Sequence, residues 1–164
     1  MRRWPSTRST RSSISSAMLI AARRSWTASS ASPMSPLTDA LIRQGRLDDA
    51  GELVSFAVRD APEGHPYAQA AAKLAQAYLA TAKRDTGGAI ERYEEAIALW
   101  DELSMTIDLS QTRIAFGRAL RELGEPELAR EQFELARETC APIGATGLVA
   151  EVDRELALVG SRAG

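Results

Sequence analysis

The side chains in this sequence that could carry chemistry are few and scattered. A single histidine, His65, stands in Glu63-Gly64-His65-Pro66, and a single cysteine, Cys140, precedes Ala141-Pro142. A general base needs a group that orients it, and a nucleophilic thiol needs a neighbour that lowers its pKa. His65 has no second histidine or partner cysteine and Cys140 has no histidine nearby in the sequence, so His65 reads as a loop residue and Cys140 as a small apolar filler. One cysteine excludes an internal disulfide, and one histidine leaves little for a transition-metal site. Asp48, Asp49 and Glu52 have the density of a carboxylate metal site, as do Glu91, Glu94 and Glu95. Each set falls in the first turns of an expected helix, where acids meet the positive end of the macrodipole, and a solvated helix start is the simpler reading. Lys83-Arg84-Asp85-Thr86-Gly87-Gly88 places its glycines after its charges and cannot cradle a phosphate. No catalytic residue, cofactor or metal ion is expected. What remains is Arg113, Arg118, Arg121 and Arg130, whose guanidinium groups can grip carboxylates through forked hydrogen bonds.

The charge that surrounds these residues divides the chain. Residues 1–35 carry six arginines, eleven serines and no acid, whereas the remaining 14 basic residues against all 22 acidic ones leave residues 36–164 at a net −8. An acidic body argues against direct binding to nucleic acid, which depends on neutralising phosphates. Residues 1–35 have no sustained period and little apolar surface, and disorder is expected there, with at most a helical turn or two through Ala17 to Arg24. Their apolar run, Ala17 to Ala22, is short for a secretory signal and is followed by Arg23-Arg24; no membrane span is expected. An organelle address, a basic binding arm and a solvated tail, or a stretch read from a misplaced start, all remain open for this segment. A reducing cytoplasm suits the cysteine usage.

The composition of the scaffold that must hold these charges points to helices. Hydrophobic residues make up 45% of the chain but aromatic ones only 5%, so the core is built from alanine and leucine. Strands prefer the β-branched and aromatic residues that are scarce here, and an all-α fold is expected. Beyond Pro36 the pattern repeats. Aligned on Ala50, Ala89 and Ala129, three stretches each show alanine, a larger residue four places on (Val54, Tyr93, Phe133) and alanine seven places on (Ala57, Ala96, Ala136). Each is preceded by another amphipathic helix, in residues 36–44, 71–82 and 112–123. Two antiparallel helices approach closely only where a side chain is very small, so Gly117, Ala129 and Ala136 mark expected contact points, with Phe116, Leu120 and Phe133 filling the space beside them. Gly124 ends one helix and Pro126 opens the next. After Pro142, Leu148, Val149, Val152, Leu156 and Val159 stand at helical spacing and predict a terminal capping helix with Glu151, Asp153, Arg154 and Glu155 outward.

The elements Phe116-Gly117-x-x-Leu120, Gly124, Ala129, Phe133 and Ala136, and Gly45, Ala50, Ala57 and Pro62, resemble the tetratricopeptide repeat. The middle unit departs from it: residues 83–88 make a connection about two residues too long, and Asp101 stands where proline is usual. The resemblance implies a helix-turn-helix solenoid of about three helix pairs plus a C-terminal helix over residues 36–164. It also implies that the first helices of successive units line a concave groove, and that register turns Asp39, Arg43, Gln69, Gln76, Gln111, Arg118 and Arg121 toward it. Two arginines there could hold an acidic peptide; the plainer alternative is a solvated face with pairs such as Arg118 and Glu122. The wording Gly117-Arg-x-Leu-Arg-x-x-Gly124, Ala129-Arg130, Gly144-Ala145 and Arg154-Glu155-Leu156 is similar to the helical-repeat regions of bacterial LuxR-type, ATP-dependent regulators and their adenylate-cyclase-linked relatives. The function that this implies is a non-catalytic interaction module with a protein or peptide partner. An independent scaffold unrelated to transcription is the alternative.

Overall fold

The computed structural model describes residues 34–61 and 64–160, and all the regular structure among them is helical. Seven helices follow one another: α1 (Met34–Arg43), α2 (Leu47–Asp60), α3 (Pro66–Ala82), α4 (Thr86–Glu102), α5 (Thr106–Leu123), α6 (Pro126–Cys140) and α7 (Thr146–Gly160). Their connections are two to five residues long, which makes neighbours antiparallel. Each helix packs on the next, and α1, α3, α5 and α7 also pack on one another in series.

The alanines that define the sequence repeat are the points of closest burial. Ala50, Ala57, Ala96, Ala129 and Ala136 are 0% exposed and Ala89 1%, while the larger residue between each pair, Val54, Tyr93 or Phe133, is also buried. Gly117 shows why the small residue is needed. A Cβ placed there would sit 2.6 Å from Cε1 of Phe133, so the ring occupies the space that a side chain would take. Three apolar clusters result, one joining α1, α2 and α3, one running from α3 through α7, and a small one around Trp100. The second is threaded by rings: Tyr93 stacks on Phe116 at 4.7 Å and meets Tyr78 edge-on at 6.1 Å.

Two boundaries differ from the sequence reading. Met34 and Ser35, expected in the disordered leader, begin α1: Met34 is fully buried and the Ser35 hydroxyl donates to the Ala71 carbonyl at 3.2 Å. The remainder of that leader lies outside the described residues. The connection at residues 83–88 is not overlong, because α4 takes Gly87 and Gly88 into its first turn. Asp85 makes this possible by accepting the Gly88 N–H at 3.0 Å, an N-cap that offsets the poor helix propensity of two glycines.

A left-handed residue occurs in every connection: Gly45, Gly64, Arg84, Ser104, Gly124 and Gly144. In this conformation the chain reverses at a helix C-terminus, and only glycine adopts it without Cβ strain. Arg84, at φ 59°, holds the position while its guanidinium donates to the Glu122 carbonyl at 2.7 Å, capping the end of α5. Ser104, at φ 55° and exposed, has no such compensation from its side chain in the described contacts. Ser104→Gly is therefore expected to raise stability by about 0.5–1 kcal/mol, read as a rise of a few degrees in the unfolding midpoint. A lowered midpoint would contradict this.

Candidate functional site

Two clefts run end to end along α3, between α1 and α5. The larger, of about 410 Å³, is lined by Ser35, Pro36 and Asp39 of α1, Tyr67, Ala71, Leu74 and Tyr78 of α3, Trp100 of α4, and Asp108, Gln111 and Thr112 of α5. The smaller, of about 170 Å³, takes Asp39, Ile42 and Arg43 of α1, Tyr78, Thr81 and Ala82 of α3, Tyr93 of α4, and Ala115, Arg118, Ala119 and Glu122 of α5. Asp39 and Tyr78 line both, so the two clefts adjoin and together mark a groove along α3. The spacing of Tyr67, Ala71, Leu74 and Tyr78 along α3 puts these residues on a single stripe, which becomes the floor.

Aromatic rings and carboxylates dominate its larger end. Tyr67 lies edge-on to Trp100, with ring centroids 4.8 Å apart, and its hydroxyl donates to Asp108 at 3.3 Å. Trp100 is only 2% exposed, yet its indole N–H meets no acceptor among the described residues. Burial, with the Asp39 carboxylate beside it, pushes the Tyr78 phenol up to about 12, so it stays neutral and donor-competent at any physiological pH. Asp39 pairs with Arg43 at 2.8 Å across one helical turn, and the Arg43 side chain is 78% exposed.

Arg118 and Arg121 are both paired with carboxylates of α7. Arg118 donates through Nε to Glu155 and through Nη2 to Glu151, each at 2.7 Å, and Arg121 donates through Nη1 to the other oxygen of Glu155. Glu155 is buried, contrary to its expected outward position, because it falls between Val152 and Val159 on the stripe that α7 presents to the core. Burial alone would raise its carboxyl pKa, but the hydrogen bonds from the two arginines outweigh that and hold it below the usual carboxylate value. The expected pair of Arg118 with Glu122 gives way to this longer-range cluster.

Of the residues that register turned toward a groove, Asp39, Arg43, Gln111 and Arg118 line it. Gln69 and Gln76 do not. They share a stripe of α3 with Lys73, which pairs with Glu95 of α4 at 2.9 Å, on the side away from Tyr67 and Leu74. Arg121 is held by Glu155 rather than presented to the groove. Tyr67, Tyr78, Trp100 and Asp108 were missed as groove residues. Tyr67 and Tyr78 carried a signal, two tyrosines eleven places apart on one helical face; Trp100 and Asp108 reach the groove only through tertiary packing.

Other candidates are unremarkable in their surroundings. His65 is exposed ahead of α3, and Cys140 is fully buried, where burial pushes its thiol pKa up. Asp49, expected at a solvated helix start, is buried beneath Arg46, which donates to it at 2.6 Å, while Asp48 and Glu52 are exposed. Among the described residues no three histidine, cysteine, aspartate or glutamate side chains gather in a way that could hold a metal ion, and no helix is long and apolar enough to cross a membrane. No protein-family model, no curated protein and no solved structure matches this chain.

Proposed function

We propose that the chain is a non-catalytic protein-interaction module, a tetratricopeptide-like right-handed solenoid that receives a peptide segment in the groove between its odd-numbered helices. The observation that carries this reading is the pair of adjoining clefts along α3, walled by α1 and α5 and floored by a tyrosine stripe. A groove between successive first helices is what such a solenoid offers a partner, and extended concave surfaces are how stacked repeats bind. Within this reading, the chain is a relative, whole or in part, of the helical-repeat regions of LuxR-type regulators, acting in the cytoplasm through a protein partner and not through DNA.

Peptide display against the immobilised protein tests the proposal. Selected peptides are expected to lose about tenfold or more in affinity to Gln111→Trp, which places a large ring at an exposed position on the groove wall without disturbing the core. Failure to select any peptide, or selection of peptides indifferent to that substitution, would overturn it.

A further inference from the structure

We infer that the larger cleft takes an arginine side chain from a basic segment of another polypeptide. This rests on the groove being an interaction surface and specifies its ligand. The lining of that cleft contains two carboxylates, Asp39 and Asp108, and three rings, Tyr67, Tyr78 and Trp100, but no lysine or arginine. Carboxylates beside aromatic faces select a cation, and a planar guanidinium satisfies both at once by stacking on a ring while forking to a carboxylate. Tyr67 holds Asp108 in place by its hydrogen bond and fixes Trp100 by edge contact, so the recognising groups are already positioned.

Two further observations point to a ligand. The Trp100 indole N–H is buried and meets no acceptor among the described residues, a state that costs stability unless a bound segment supplies one. Among the described residues Asp39 pairs only with Arg43, a largely solvated pair one turn apart, so an incoming guanidinium can exchange with it at little cost. An acidic ligand is disfavoured. The arginines expected to receive it, Arg118 and Arg121, already share Glu155, and residues 36–164 as a whole carry net negative charge that repels an anion and steers a cation in.

The test uses the full chain and three fluorescein-labelled peptides of repeated Arg-Ala-Ser, Lys-Ala-Ser and Glu-Ala-Ser, followed by anisotropy at about 0.15 M salt, where diffuse surface attraction is screened. Saturable binding of the arginine peptide is expected, several-fold weaker binding of the lysine peptide, and none of the glutamate peptide. Asp39→Asn/Asp108→Asn is expected to weaken the arginine peptide by about tenfold or more, with an unchanged circular dichroism spectrum. In a Trp4→Phe/Trp26→Phe background, which leaves Trp100 as the sole indole, its emission should shift on binding. Equal affinity for arginine and lysine peptides combined with indifference to the double asparagine variant would be diffuse attraction to an acidic surface and would overturn the inference. So would preference for the glutamate peptide. If display yields acidic or neutral peptides that Gln111→Trp nevertheless blocks, the groove survives as an interaction surface and the arginine ligand falls; if nothing binds, both fall.

Discussion

Gly117→Leu is expected to destabilise the protein by about 3 kcal/mol or more. The first carbon of any side chain at this position would lie 2.6 to 2.8 Å from three atoms of the Phe133 ring, and Phe133 is itself fully buried against the alanines of α6. A ring buried on every side in a close-packed core has little room to withdraw, so α6 is expected to lift from α5. Gly117→Ala gains about 1 kcal/mol of helix propensity and still comes out destabilised, because the clash exceeds that gain. The cause is separable from a general intolerance of α5. Phe133→Ala alone should cost about 3–5 kcal/mol by opening a cavity. Gly117→Leu/Phe133→Ala should be more stable than the sum of the two single effects by at least about 1 kcal/mol, since the leucine then fills the space that the ring vacates. Denaturant unfolding of the three variants measures this cycle, and strict additivity would show that the contact is not the reason for the glycine.

Glu155→Gln is expected to loosen α7 and to change how the protein responds to acid. The carboxylate receives hydrogen bonds from Arg118 and Arg121 at a buried position, and glutamine can neither balance those charges nor accept at both oxygens. Removing one member of a buried ion cluster costs several kcal/mol in the extreme; the Arg118 side chain is 41% exposed and can rehydrate, so about 1–3 kcal/mol is expected here. The pH dependence follows from the direction of the shift. Glu155 has a folded-state pKa lowered from an ordinary 4.5, so its contribution is fully present above that value and is lost as pH falls through the folded pKa below it. The difference in unfolding midpoint between wild type and Glu155→Gln should therefore be constant from pH 7 down to about 5 and shrink toward pH 3. A difference that stays constant down to pH 3 would show that the charge of Glu155 does not hold α7.

The parts of this architecture legible in the sequence were those set by local spacing. Ala50, Ala57, Ala89, Ala96, Ala129 and Ala136 recur at intervals that only a helix face can use, and they are the buried contacts of the fold. The start of α4 was misjudged because glycine pairs signal a turn, and the capping carboxylate of Asp85 overrides that signal. Glu155 was misplaced for a different reason: its charge suggested solvent, although its position three residues after Val152 and four before Val159 places it on the buried stripe. Its partners lie 34 and 37 residues away, beyond what spacing within a helix can reveal. The groove was legible only in part. Register places Asp39, Gln111 and Arg118 on it, but Gln69 and Gln76 belong to the Lys73 stripe, and the ring of Trp100 arrives from the second helix of a pair.

The left-handed connections at residues 45, 64, 84, 104, 124 and 144 turn the chain into a ruler graduated in steps of nineteen or twenty residues. One step reverses the heading of the chain and two restore it, so a block of forty residues cut between like graduations, such as Arg84 and Gly124, begins and ends with the same orientation. Under the proposed repeat architecture such a block is an interchangeable part. Adding or removing one would lengthen or shorten the groove while reusing the kinds of seam already present, whereas a block of twenty would set a groove-lining helix where a seam-filling one belongs.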